Sequence, residues 1–157
     1  MLQVLDGAAP ASTEPMKVIS PPGTTWRCCG GGYSVVQLVL ADAAGEPFDQ
    51  LMARRVLALA GMASSSFTQP ASKAIMARAA WPHDSAGKAL AGPPSYPELA
   101  AAGLWSTPTD LANFAIALQR AANGKPGALL DRKNAATMLA PVSNAYALGV
   151  PEAAQLY

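Results

Sequence analysis

The residues best suited to chemistry lie in one short stretch, Trp26-Arg27-Cys28-Cys29-Gly30-Gly31-Gly32-Tyr33-Ser34. Its two adjacent thiols are the only cysteines among 157 residues. A thiol acts as base or nucleophile only when ionised, which usually needs an activating partner such as histidine. The sole histidine, His83, lies far along the chain in Trp81-Pro82-His83-Asp84-Ser85-Ala86-Gly87, which reads as a turn. A zinc site or a Ser-His-Asp triad would have to be built entirely around it, so it is taken as a solvated turn residue. Neighbouring cysteines seldom close an unstrained disulfide, and two of them do not make a metal set. The three glycines are no phosphate cradle either, since no Lys-Ser/Thr follows and no strand precedes them.

Two further patterns look catalytic and are rejected on their surroundings. Ser85-Ala86-Gly87-Lys88 has a hydroxyl and an amine at the spacing that brings them together on a helix. Pro82, His83-Asp84 and Gly87 specify a turn there instead. Lys125-Pro126-Gly127 resembles a strand-borne Lys-Thr-Gly, but it falls in a loop between two helices with no strand to present it.

The elements that must position these residues are mostly helical. Met1 to Leu5 reads as a last helical turn, and Ala8 to Pro22 as a proline-punctuated loop. Gly30 to Gly32 open a helix over Tyr33 to Ala44, expected to be mostly buried through Val35, Val36, Leu38, Val39 and Leu40, with Gly45 stopping it. Pro47 starts the next helix as its first residue, and Phe48, Leu51, Met52, Arg55 and Leu59 trace one face up to Gly61. Ala79-Ala80-Trp81 and Lys88-Ala89-Leu90 are expected to form a small hairpin about Ser85-Ala86-Gly87. Thr107-Pro108-Thr109-Asp110 predicts an N-cap and capping box, followed by a stripe of Leu111, Phe114, Ala115 and Leu118 ending at Asn123-Gly124. Asp131 caps a short helix over Arg132 to Leu139, and Tyr146 to Val150 begins a strand. No internal repeat or long low-complexity tract interrupts this order.

Composition narrows the function classes. Hydrophobic residues make up 51%, charged ones 13% and aromatics 6%, so the chain is apolar yet short of bulky core residues, and a partner surface is expected. The net charge of +1 comes without a basic cluster able to neutralise several phosphates, which argues against nucleic acid. No apolar run approaches membrane-spanning length, and Met1 to Asp6 is not an export signal. The compartment is therefore not indicated.

Taken with Pro22-Gly23-Thr24-Thr25 before it and Val35-Val36-Gln37-Leu38 after it, the cysteine-glycine stretch resembles the segment bearing the Tyr-x-Asn motif of penicillin-recognising serine hydrolases. These include class C β-lactamases, penicillin-binding proteins and family VIII esterases. The likeness continues through Gly45-Glu46-Pro47-Phe48, Leu59-Ala60-Gly61-Met62, Gly103-Leu104-Trp105-Ser106-Thr107 with Asp110-Leu111-Ala112, and Tyr146-Ala147-Leu148-Gly149. Order and spacing, rather than any one of these, carry it.

The resemblance implies the middle, helical subdomain of the β-lactamase/transpeptidase-like fold: mainly α, with a small β-hairpin, at most a short terminal strand, and the α/β sheet domain largely missing. Residues 1–157 would form one partial domain, with 146–157 the start of a strand or an altered tail. Family members attack an acyl carbonyl with the serine of a helical Ser-x-x-Lys, assisted by the motif tyrosine and by Lys-Thr-Gly or a histidine-glycine variant. By the resemblance, Cys28 stands at the tyrosine position and Gly30 at the asparagine position, a glycine that tilts the reading toward the esterases. The glycines would let backbone approach the cleft, and Ala102, Gly103 and Leu104 would border the substrate pocket. Trp105, Tyr33 and Tyr146 are read as packing residues. The nucleophile motif would precede Met1 and the third motif would follow Tyr157.

The expected function is therefore that of a truncated serine hydrolase, inactive alone, that would meet an ester or β-lactam substrate only when completed by the missing domain. It needs no cofactor or metal. The alternatives are a non-catalytic binding or self-association module using exposed apolar faces, and a hydrolase dependent on Cys28.

Overall fold

The computed structural model describes residues 1–11, 13–21 and 28–141. The segment from Pro22 to Arg27, the strand expected over Tyr146 to Val150 and the tail to Tyr157 lie outside the described residues. Seven α-helices and one π-helical turn run in order through the described residues: α1 (Leu2–Asp6), α2 (Gly30–Ala44), α3 (Phe48–Met52), the π turn Ala53–Leu57, α4 (Lys73–Met76), α5 (Leu99–Ala102), α6 (Pro108–Ala122) and α7 (Arg132–Leu139). No sheet forms among them, and the chain is mainly helical, as expected of this subdomain.

Local signals set most boundaries. The Thr107 hydroxyl accepts from the Asp110 N–H at 3.2 Å and starts α6 with Pro108 in its first turn. Asp131 accepts from the Asn134 N–H at 2.8 Å and starts α7. Gly45 ends α2 at φ 66°, a left-handed conformation that a β-carbon would disfavour. The hairpin shrinks to a single antiparallel bridge between His83 and Ala89, because Asp84 folds the connection tightly. Its Oδ1 accepts from the N–H groups of Ala86 and Lys88, both at 2.9 Å.

Three expectations about buried faces are corrected. Helix α2 begins at Gly30, and it buries its polar residues: Ser34 is 1% exposed and Gln37 8%. Val35, Val36, Val39 and Leu40 lie in solvent, Val39 at 60% exposure, and Tyr33 is half exposed rather than packed. In the second helix, Pro47 is the cap rather than the first helical residue. The ladder widens in the π turn, where the Ala58 N–H donates to the Ala53 carbonyl at 3.0 Å, five residues back, and the helix closes at left-handed Gly61 with the Met62 N–H donating to the Leu57 carbonyl at 2.8 Å. The extra residue in the turn shifts the face by about 100°. Phe48, Leu57, Ala60 and Met62 become core, while Leu59 is left 61% exposed. On α6 the inward side runs through Phe114, Ala117, Leu118 and Ala121. Leu111 and Ala115 face out.

The core is small. Leu57, Ala60 and Met62 form its centre, with Phe67, Phe114, Ala117 and Leu129 against them. Phe48 and Phe67 meet edge to face at 5.5 Å. Asp110, expected to close a capping box, does different work. Its Oδ2 accepts from the Ser64 N–H at 2.8 Å and the Ser65 hydroxyl at 2.7 Å, joining the start of α6 to the turn after the π segment.

Candidate functional site

Two of the residues singled out from the sequence, Cys28 and Gly30, lie at the start of α2. Cys29 is the cap of this helix, and its Sγ accepts from the Gly32 N–H at 3.4 Å. Cys28 and Cys29 are both exposed and neither is in a disulfide. The first helical residue, Gly30, faces α5: a side chain there would begin 3.8 Å from the Ala101 Cβ. The first turn of α2 and α5, some seventy positions apart, thus lie against each other.

Gln37 holds the two together. Its Nε2 donates to the Pro97 carbonyl at 3.1 Å and its Oε1 accepts from the Ala100 N–H at 3.0 Å. Helix α5 has four residues, and its cap residue Glu98 makes no side-chain capping bond. The amide of Gln37 therefore caps α5 from another helix, satisfying a first-turn donor that a helix this short cannot satisfy itself. The sequence reading passed over Gln37. The available signal was one carboxamide inside the apolar run Val35-Val36-Gln37-Leu38-Val39-Leu40.

After α5 the chain turns at Gly103, which is buried while Ala102 and Leu104 are exposed. A Cβ at Gly103 would lie 2.6 Å from the Leu99 Cα, so the turn closes onto its own helix only without a side chain. The Gly103 carbonyl accepts from Gln69 Nε2 at 3.2 Å. Ala102 and Leu104 line a cavity of about 280 Å³ with Gln69, Pro93, Tyr96 and Trp105, and none of its lining side chains carries a charge. A second cavity, of about 310 Å³, is also lined by Trp105 and is edged by Ser65, Arg78, Ser106 and Thr107. The buried indole N–H of Trp105, which both cavities share, finds no acceptor among the described residues.

The rejected patterns lie elsewhere. Ser85 and Lys88 are in the turn closed by the Gly87 N–H donating to the Asp84 carbonyl at 3.0 Å, not on a helix. His83 is exposed, with Nδ1 at 2.9 Å from the Trp81 carbonyl. Lys125 to Gly127 follow α6 in a turn. Among the described residues no group of three or more His, Cys, Asp or Glu could hold a metal, and no helix is long and apolar enough to cross a membrane.

The family model described as Beta-lactamase matches residues 4–156. The chain belongs to the beta-lactamase family. Among solved structures, it is similar to the octameric penicillin-binding protein homologue from Pyrococcus abyssi, at 18% identity and a TM-score of 0.61 over 79% of this chain and 27% of that one. It is also similar to the D-amino acid amidase from Ochrobactrum anthropi SV3 complexed with D-phenylalanine, at 23% identity and a TM-score of 0.58 over 76% of this chain and 36% of that one. The same amidase complexed with L-phenylalanine amide gives 22% identity and a TM-score of 0.54, covering 76% and 35%. These likenesses show the fold, and the chain spans about a quarter to a third of the proteins it matches. No curated protein matches it.

Proposed function

We propose that this chain is the helical part of a β-lactamase-type serine hydrolase, contributing one wall of an acyl-transfer site and incapable of turnover alone. The observation that supports this best is the packing of α2 on α5, where Gln37 bonds to Pro97 and Ala100 and a side chain at Gly30 would begin 3.8 Å from the Ala101 Cβ. In the family reaction, a serine hydroxyl deprotonated by a neighbouring lysine attacks an acyl carbonyl, and a tyrosine on the α2 side moves the proton to the leaving group. Cys28 occupies that tyrosine's place, and a thiol reaches several ångströms less far than a phenol. The one Ser-x-x-Lys of the sequence, at Ser85 and Lys88, is held in a turn.

The substrate of the completed enzyme would be a β-lactam, a D-Ala-D-Ala peptide or an ester. Gly30 and the uncharged cavity at Ala102 and Leu104 favour a neutral ester. Chromogenic cephalosporin and p-nitrophenyl ester assays on the purified chain are expected to show no turnover above buffer, and Cys28→Ser is expected to change nothing. Turnover that Cys28→Ser abolishes would establish a Cys28-dependent hydrolase instead. Covalent labelling of one side chain by a fluorescent penicillin would overturn the inactive assignment outright.

A second reading, a binding or self-association module, is favoured by the outward face of α2. Full burial of a Val or Leu side chain contributes roughly 1.5–3 kcal/mol. With about half of each still in water, covering Val35, Val36, Val39 and Leu40 would contribute about 3–6 kcal/mol before association costs. In the first reading the α/β domain covers this face. In the second, another copy of the chain does, and the octameric state named for the Pyrococcus abyssi homologue gives that precedent. Light scattering on the eluting chain decides between them: a clean monomer that binds no apolar dye counts against self-association.

A further inference from the structure

The two thiols have a chemistry that the hydrolase reading leaves unused. Cys28 and Cys29 are adjacent, exposed and unbridged, and they are the protein's whole thiol content. Beside them the first turn of α2 is Gly30-Gly31-Gly32, so no side chain from those three positions shields either sulfur. Sγ of Cys29 is held at the cap by the Gly32 N–H, while Cys28 precedes the cap, outside the helix and outside any β-bridge of the described residues.

What such a pair can bind follows from its ligand count and spacing. Consecutive Cα atoms are about 3.8 Å apart. A disulfide normally needs roughly 4.4–6.8 Å, so direct closure between the two sulfurs makes a strained ring. Zinc takes four ligands, and no third His, Asp or Glu joins the pair among the described residues. Hard cations prefer oxygen. The partner that fits is a soft, thiophilic centre satisfied by two sulfurs and large enough to bridge them.

We propose that Cys28 and Cys29 form a bidentate site for trivalent organoarsenic compounds, with the arsenic atom bridging the two sulfurs. In the step, both As–OH bonds of an arsonous acid R–As(OH)2 break and two As–S bonds form. The two thiol protons leave with the hydroxyls as two molecules of water, and arsenic stays trivalent, so no oxidant or reductant takes part. Bridging through arsenic lengthens the link between the sulfurs, which removes the strain that opposes a direct disulfide. Two-point attachment also sets this pair apart from any single surface thiol, because the second bond forms intramolecularly at high effective concentration.

The probe is phenylarsine oxide, added to the reduced 157-residue chain. Intact-mass measurement should show one phenylarsenic group per chain, and thiol titration should show both thiols lost together. A dithiol such as 2,3-dimercaptopropanol should reverse the adduct, and millimolar monothiol should not. Cys28→Ser and Cys29→Ser should each weaken binding by about 100-fold or more, the low end of the gain from linking two attachment points. Both variants should keep the native far-ultraviolet circular dichroism and remain alkylated once by iodoacetamide, which separates loss of chelation from loss of fold or exposure. The proposal is overturned if either variant binds as tightly as the native chain, if only one thiol is consumed, or if the arsenic links two chains.

Discussion

Replacing Gln37 tests whether one carboxamide inside an apolar helix holds the candidate site together. Gln37→Leu keeps the approximate volume and removes both hydrogen bonds to the segment 97–100. Pro97 is exposed, so its carbonyl can turn to water at small cost, whereas the Ala100 N–H is only part exposed. The loss is therefore set nearer the net worth of two hydrogen bonds, about 0.5–1.5 kcal/mol each, than two full desolvation penalties. The expected destabilisation is about 1–3 kcal/mol in total, read as a lower urea midpoint at unchanged slope. Gln37→Glu retains the acceptor for Ala100 but sets a buried carboxylate oxygen against the Pro97 carbonyl, so the ionised variant should lose at least as much stability as Gln37→Leu. Hydrogen exchange supplies the local reading: Ala100 should lose protection in Gln37→Leu and keep most of it in Gln37→Glu. An unchanged midpoint with Ala100 still protected would refute the idea that α5 is capped from α2.

Other sites give equally definite outcomes. Asp110→Ala removes the Oδ2 acceptor shared by the Ser64 N–H and the Ser65 hydroxyl, and at about 1.5–3 kcal/mol for a hydrogen bond to a charged group it should cost more than any exposed substitution on α6; thermal unfolding checks it. Gly103→Ala should destabilise although alanine favours helix, because the new methyl meets the Leu99 backbone at 2.6 Å; an unchanged melting temperature would show that the turn can relax. Gly31→Ala meets a different obstacle, the Met16 side chain, so pairing it with Met16→Ala should recover the helix-propensity gain of about 1 kcal/mol in denaturant midpoints. Val36→Lys with Val39→Lys should leave the circular dichroism native while abolishing apolar-dye binding and any concentration-dependent self-association; persistence of either would place the sticky surface elsewhere.

Signals confined to a few neighbouring residues were legible in the sequence. Thr107 and Asp131 cap their helices through donors three positions ahead, and Gly45 accepts a left-handed conformation because it has no β-carbon. These bonds form within one turn, so residue type and spacing determine them wherever the segment is placed. The order of such punctuation, with the glycine loop and the Gly103 turn, was also enough to place the chain in its family. Which face points inward was not legible in the same way. The apolar run on α2 predicted burial of its valines, yet Ser34 and Gln37 are inside: Gln37 meets the peptide backbone of 97–100, which needs a donor and an acceptor rather than methyl groups, and the Ser34 hydroxyl donates to the Gly30 carbonyl of its own helix. Leu59 lost its place to Ala60 through one π turn, and Asp110 left a local box for Ser64 and Ser65, 46 and 45 residues away. Hydrogen bonds and packing between distant segments have no fixed sequence spacing to announce them, so only the tertiary structure could decide that α2 packs on α5 at Gly30 and that Gln37 joins α2 to the 97–100 segment.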